Sequence, residues 1–220
     1  IGLLVNKLKA RKLFENTFII FTSDNGGYYG KITMQKPLRA GKGSYYEGGI
    51  RVPFFFLWKD RISSGRNTQI PISHLDIFPT LMNLIEDNSM KNQLDGQSLL
   101  SLMTEGQVLA ERSFFWHFPI YLQGYDIKDN ENRDSLFRTR PGSIIRKGDW
   151  KLHYYFEDNG MELYNLKDDI SESNNLAESH IEKRQELMEE LVDWWQNTNA
   201  PIPSQINPLY EPHQPHSHSL

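Results

Sequence analysis

Cysteine is missing from all 220 residues, and its absence removes a disulfide framework, a cysteine-ligated zinc site and a thiol nucleophile together. It does not assign a compartment. Long apolar runs are missing too: no stretch approaches the roughly 18 residues that a membrane-spanning helix requires, and the first residues do not follow the basic, apolar, small-residue order of a signal peptide. Positive charge is scarce, with 24 Lys and Arg against 28 Asp and Glu for a net charge of −4. That balance argues against a broadly basic nucleic-acid surface, which would neutralise many phosphates with Lys and Arg. Any anion site must be local. At this length roughly 70% of the unfolded chain's surface can be buried, so a core forms without a metal or a disulfide to hold it.

The chain starts as helix, strand and turn. Leu4, Val5, Leu8 and Leu13 recur at near-helical spacing with Lys7, Lys9, Arg11 and Lys12 between them, which predicts an amphipathic helix over residues 3–14. No capping residue precedes it, so the helix is already under way at Ile1 and the chain reads as a piece of something longer. Residues 17–22 form a β-branched and aromatic run without alternation, the pattern of a strand covered on both faces in a parallel sheet. The run ends in Ser23-Asp-Asn-Gly-Gly27, at the carboxyl end of a strand, where open α/β sheets keep their ligand sites.

Residues 52–58 predict a second strand, and residues 76–86 a helix capped by Asp76 with Pro79 in its first turn. From Arg112 the texture changes. Residues 113–118, 142–146, 150–156 and 161–166 are short strand candidates for an antiparallel unit. Ser179-His-Ile-Glu182 reads as a capping box opening a helix with Leu187, Met188, Leu191, Val192 and Trp195 on one face. Beyond Asn197 the Pro-, His- and Ser-rich composition predicts an extended tail. His213, His216 and His218 in it are weak metal candidates, with a plain solvated tail as the alternative.

Two clusters could carry chemistry. Asp24 and Asn25 offer adjacent hard oxygen donors that a turn can aim at one point, which suits Ca2+ or Mg2+. The same residues are also what ordinary turns prefer. Lys42 lies in Gly41-Lys-Gly-Ser44, where glycines admit a ligand to the backbone and the ammonium offers a point charge to a tetrahedral oxyanion such as sulfate or phosphate. A solvated basic loop is the alternative, since residues 28–51 hold five basic residues against one acidic one. The spacing is not that of a Walker loop.

Taken in order, residues 16–27, Pro37-Leu-Arg-Ala-Gly-Lys-Gly-Ser44 and Tyr46-Glu-Gly-Gly-Ile-Arg-Val-Pro53 strongly resemble the carboxyl half of the catalytic domain of type I sulfatases. His74-Leu-Asp-Ile-Phe-Pro-Thr-Leu81, Leu94-Asp-Gly-Gln-Ser-Leu99, Gly148-Asp-Trp-Lys-Leu152 and Glu162-Leu-Tyr-Asn-Leu166 continue the likeness, which runs to about residue 197. The resemblance implies an α/β, alkaline-phosphatase-like sulfatase fold, present in part, with a C-terminal subdomain of small antiparallel sheet plus helix. Residues 1–111 would be the catalytic portion, 112–197 the subdomain and 198–220 the tail. It also implies that Asp24 and Asn25 help hold Ca2+ and that Lys42 contacts the sulfate, with Arg39 as a further substrate-binding candidate. The implied substrate is a sulfated small molecule or saccharide, and the implied location is secreted, periplasmic or lysosomal. Within Phe114-Phe-Trp-His-Phe-Pro119, His117 resembles part of the Trp-His-x-Pro segment of many bacterial sulfatases. It could line a substrate pocket while Trp116 stacks on a sugar ring, a core histidine being the alternative. For His153 an ordinary hydrogen-bonding role on a strand is the favoured reading.

The likeness stops short of the nucleophile. The family uses a formylglycine made from the first residue of Cys-x-Pro-x-Arg or its serine counterpart, but this chain has no Cys and none of its eleven prolines has Ser two positions earlier. The family's Asp-Asp metal ligands and the His and Lys partners of the nucleophile have no counterparts here either. The chain is read as about half a sulfatase, with activity belonging to the intact protein and this piece alone inactive. The competing readings are a phosphodiesterase or phosphonate hydrolase of the same superfamily and a non-catalytic anion- or carbohydrate-binding module.

Overall fold

In the computed structural model, which describes residues 1–28, 33–87, 89, 93–123, 131–133 and 137–208, helix α1 spans Gly2–Ala10. It is shorter than the apolar spacing predicts, because Lys12 turns into the left-handed region at φ 57° and a 3-10 turn (Phe14–Asn16) follows. Leu3 and Leu4 are exposed, and only Val5 and Leu8 are half-buried. Strand β1 (Ile19–Thr22) pairs with β2 (Phe54–Leu57), Ile19 opposite Leu57 and Thr22 opposite Phe54. The pairing is antiparallel, and Phe21 and Phe55 are exposed, so the expected parallel strand covered on both faces is not what these residues form. An all-apolar run says that neither face is polar; it carries no information on the direction of the neighbouring strand.

A 3-10 turn (His74–Asp76), helix α3 (Ile77–Leu84) and helix α4 (Leu100–Thr104) complete this first unit, which comprises Ile1–Ser23 and Pro53–Glu111. The expected cap moves by one turn. Ser73 accepts from the Leu75 amide at 3.3 Å, and buried Asp76 accepts from the amides of Ser73 and Gln97 at 2.8 and 3.0 Å instead of capping α3. Ser73 stands three residues before Asp76, so the reciprocal box closes there first.

The second unit joins Asp24–Val52 to the chain from Arg112 onward, so residues 24–52, grouped by sequence with the catalytic portion, pack with the carboxyl-terminal part. Its single-turn helix α2 is Glu47–Ile50. Strands β3 (Ser113–Phe118), β4 (Leu122–Gln123), β5 (Phe137–Thr139), β6 (Gly142–Lys147), β7 (Trp150–Tyr155) and β8 (Gly160–Asn165) follow. β4 and β5 make a short ribbon, and the other four form an antiparallel sheet in the order β3-β6-β7-β8. These four strands lie where the sequence predicts them.

Alternation gives this sheet two unlike faces. The cross-strand row Phe115, Ile145, Leu152 and Leu163 faces helix α5 (Ile181–Thr198), whose Leu187 and Leu191 are fully buried with Met188, Trp194 and Trp195 packed around them. The row Trp116, Ile144, His153 and Glu162 faces the other way, toward Tyr45 and Tyr46. The expected capping box of α5 is not formed. Ser179 turns its hydroxyl back to the Leu176 carbonyl at 3.2 Å, His180 becomes the cap position, and Glu182 falls one place too early to complete a box.

Candidate functional site

The turn after β1 presents Asp24 and Asn25, and the backbone beyond it is held by its neighbours. Gly26 donates to the Gly49 carbonyl at 2.8 Å, the Gly27 carbonyl accepts from the Lys42 amide at 2.9 Å, and Gly48 donates to the Arg39 carbonyl at 2.9 Å. The close approach requires glycine: a Cβ on Gly48 would lie 2.3 Å from the carbonyl oxygens of both Arg39 and Ala40. Backbone contacts thus bring the Lys42 loop beside the Asp24-Asn25 turn. Ala40, Ser44, Tyr45 and Tyr46 are buried, while Asp24 and Lys42 are exposed and Asn25 is half-buried. The frame is inside and the charged groups face outward.

What fastens this frame to the sheet is a buried ion network. Lys151, fully buried on β7, lies 3.0 Å from Glu47 and 2.8 Å from Glu172. Glu172 also accepts from the Glu47 amide at 2.5 Å, and Glu47 faces Arg51 at 3.4 Å and Arg146 at 3.7 Å. Burial pushes both carboxyl groups up, but the Lys151 ammonium outweighs it: Glu47 is held below the usual range, and Glu172, helped by the His153 ring, at about 2. Both stay ionised. Sequence reasoning passed over Glu47 and Lys151, quoting them only within longer motifs. The available signal was a lysine between Trp150 and Leu152 in the middle of a strand.

Arg39 is placed in this anchor and not at the ligand side. It donates to the carbonyls of Glu131 and Glu172 at 2.7 and 2.8 Å and lies 3.8 Å from the Tyr46 ring centroid. Burial works against its charge, yet the facing Tyr46, Tyr164 and Glu162 side chains raise its pKa overall. Tyr46 and Tyr164 in turn donate to Glu162 at 2.7 and 3.0 Å.

Trp116 and His117 cannot line one pocket as expected, because adjacent strand residues point to opposite faces. Trp116 packs against Tyr45, Ile144 and Tyr155 on the loop-bearing face. His117 lies on the helix face, 2.6 Å from the Ser143 hydroxyl and 3.0 Å from the Pro201 carbonyl, and burial lowers its pKa. His153 is fully buried, 3.2 Å from the Tyr155 hydroxyl and 3.4 Å from Glu172, and burial holds it neutral. It serves the anchor. The tail histidines His213, His216 and His218 lie outside the described residues.

Asp24 and Asn25 are the right kind of donor for Ca2+, hard oxygens on a turn, but two of the six to eight oxygens that Ca2+ takes. Among the described residues no group of three or more His, Cys, Asp or Glu side chains converges on a metal position. No helix among them is long and apolar enough to cross a membrane.

A family model described as Sulfatase matches residues 1–87, the span that contains Asp24, Asn25 and Lys42. A sulfatase of Formosa agariphila is 35% identical over 209 residues, covering 88% of this chain and 35% of that protein. An N-acetylgalactosamine-6-O-sulfatase of Bacteroides thetaiotaomicron is 30% identical over 208 residues, 86% of this chain and 38% of that one. The chain is a sulfatase homologue. A solved structure, Ps i-CgsB in complex with k-i-k-neocarrahexaose, is similar with a TM-score of 0.71 at 30% identity, over 93% of this chain and 42% of that one. The fold is the α/β, alkaline-phosphatase-like fold of these sulfatases, including the small antiparallel sheet with its helix. The sulfatase homologue spans between 35% and 42% of the length of these relatives.

Proposed function

We propose that this chain is the part of a sulfatase that grips the sulfate ester and supplies two ligands of the metal site, and that the intact protein hydrolyses sulfate esters of a saccharide. One observation supports this reading: the 2.9 Å hydrogen bond from the Lys42 amide to the Gly27 carbonyl, which holds the loop backbone that bears the exposed Lys42 beside the Asp24-Asn25 turn. The two saccharide-directed relatives support the substrate class. The family's location outside the cytoplasm, secreted, periplasmic or lysosomal, belongs to the same proposal.

The Lys42 ammonium would donate to a non-bridging sulfuryl oxygen and neutralise the charge that gathers there as the ester bond breaks. A Ca2+ ion, held in part by Asp24 and Asn25, would polarise the same oxygens as a Lewis acid. No residue fits the formylglycine, since the chain has neither Cys nor a Ser two positions before Pro. No covalent step is assigned to it.

A charge-assisted contact contributes about 1.5–3 kcal/mol, so Lys42→Ala should weaken sulfate binding by about one to two powers of ten. Calorimetric titration of the chain with sodium sulfate measures this. Equal affinity in the two proteins would remove Lys42 from the site.

A further inference from the structure

Within the second unit, the β4–β5 ribbon presses on the Lys42 loop at Gly43. The Leu122 Cδ2 lies 2.6 Å and the Arg138 Nη1 3.1 Å from where a Cβ on Gly43 would stand, so both side chains fill space that this glycine, at φ 86°, leaves open. Leu122 pairs with Thr139 and Gln123 with Phe137, which makes Arg138 the extra residue of a bulge. A bulge re-aims the side chain it displaces, here onto Gly43.

Tyr121, next to Leu122, ties the ribbon down. Its ring packs on Phe137 with centroids 4.8 Å apart, and its hydroxyl donates to Glu157, which is buried against Arg140 at 2.7 Å. The Asn207 side chain donates to the same hydroxyl. Six residues earlier the carboxyl-terminal segment is held again: the Pro201 carbonyl accepts from His117 Nε2 at 3.0 Å. The other ring nitrogen meets the Ser143 hydroxyl at 2.6 Å, to which Trp195 of α5 donates at 2.9 Å. Residues 201–207 thus lead from the end of α5 to the ribbon and are bonded at both ends. Pro201 and Pro203 fix φ along the way and reduce the entropy lost in holding the segment.

We propose that residues 201–207 are a strap that holds the β4–β5 ribbon on the Lys42 loop, which makes Tyr121 and Leu122 positioning residues for the anion that Lys42 grips. Glycines flank Lys42 on both sides and leave its backbone wide conformational freedom. A loop that must be ordered at the moment of binding costs affinity. The ribbon orders it beforehand, and the strap orders the ribbon. This rests on the reading of Lys42 as the sulfate contact.

The test compares variants of this chain by calorimetric titration with sodium sulfate and by amide exchange, the α5 amides reporting global opening. The Lys42 and Ser44 amides, bonded to the Gly27 and Gly41 carbonyls at 2.9 and 3.0 Å, report the loop. Tyr121→Phe and Asn207→Ala each remove a hydrogen bond from the strap's fastening, so each should speed loop exchange and weaken sulfate about two- to tenfold with α5 unchanged. Combined, they should do no more than Tyr121→Phe alone, because Asn207 acts through that hydroxyl. Leu122→Ala should also free the loop, and Leu122→Met, which keeps the volume over Gly43, should restore it. Unchanged loop exchange in Asn207→Ala or in Leu122→Ala, equal acceleration in α5, or Leu122→Met as fast as Leu122→Ala would overturn the proposal. Sulfate affinity separates it from the reading beneath. Faster loop exchange with sulfate indifferent to both Leu122→Ala and Lys42→Ala supports the strap and removes Lys42 as the contact. Sulfate weakened by Lys42→Ala but not by Leu122→Ala keeps Lys42 and overturns the positioning role.

Discussion

Lys151 has no water to solvate it and two carboxylates, Glu47 and Glu172, to neutralise it. Removing one member of a buried ion cluster leaves the others uncompensated, at a cost of about 3–5 kcal/mol. Lys151→Met should therefore lower the unfolding free energy read from urea titration by that amount, and a value equal to wild type would mean that the cluster is dispensable. Acid acts on the same residues. Glu172 is held at about 2 and Glu47 also below the ordinary 4.5, so their stabilisation is complete above pH about 4.5 and falls away as pH drops toward 2. His153, kept neutral by burial below the ordinary 6.5, adds to the trend, because the unfolded chain takes up its proton first. Urea midpoints measured between pH 7 and 3 should fall monotonically. A flat profile would contradict the assigned charges.

At the scale of elements, the loops that bear Asp24 and Lys42 are organised by backbone and the sheet by side chains. Gly48→Ala forces a Cβ against two carbonyls, so it should abolish sulfate binding at Lys42. Leu187→Ala, on the far side of the sheet, should cost about 2–5 kcal/mol of stability while leaving sulfate affinity intact under native conditions. Binding lost in both variants, or in neither, would show that loop and helix are not separable in this way. The sequence was legible where its signal was local: the strand runs from Ser113 to Leu166 and the Asp24-Asn25 turn follow from neighbours a few residues apart. The anchor was not, because Glu47 meets Lys151 across 104 residues and Glu172 across 125. Alternation alone would send Lys151 and His153 to solvent. The covering segment 39–50 and the loop that bears Glu172, whose positions no spacing rule gives, turn that face into an interior. The antiparallel partner of β1 was hidden for a related reason, since an unbroken apolar run has no preferred face to read.

For the molecule as a whole, the chain spans little more than a third of its sulfatase relatives in sequence and lacks the residues from which the family makes its nucleophile. It should bind sulfate without turning over 4-nitrocatechol sulfate; hydrolysis above a Lys42→Ala control would reveal a nucleophile among residues assigned other roles. The second unit also has a sheet whose helix face is closed by apolar packing and whose loop-bearing face adds a fully buried ion cluster to its aromatic contacts. Such a sandwich has no single weakest condition. Hydrophobic burial fades on cooling, whereas acid acts most strongly on the buried Glu47, Lys151 and Glu172 cluster, the Lys147–Glu190 pair on the helix face being more exposed. Amide exchange should accordingly open residues 39–50 first in acid and α5 first in the cold, so that the ligand loops can be released while the helix stays in place. A storage or assay buffer chosen for one face would not protect the other.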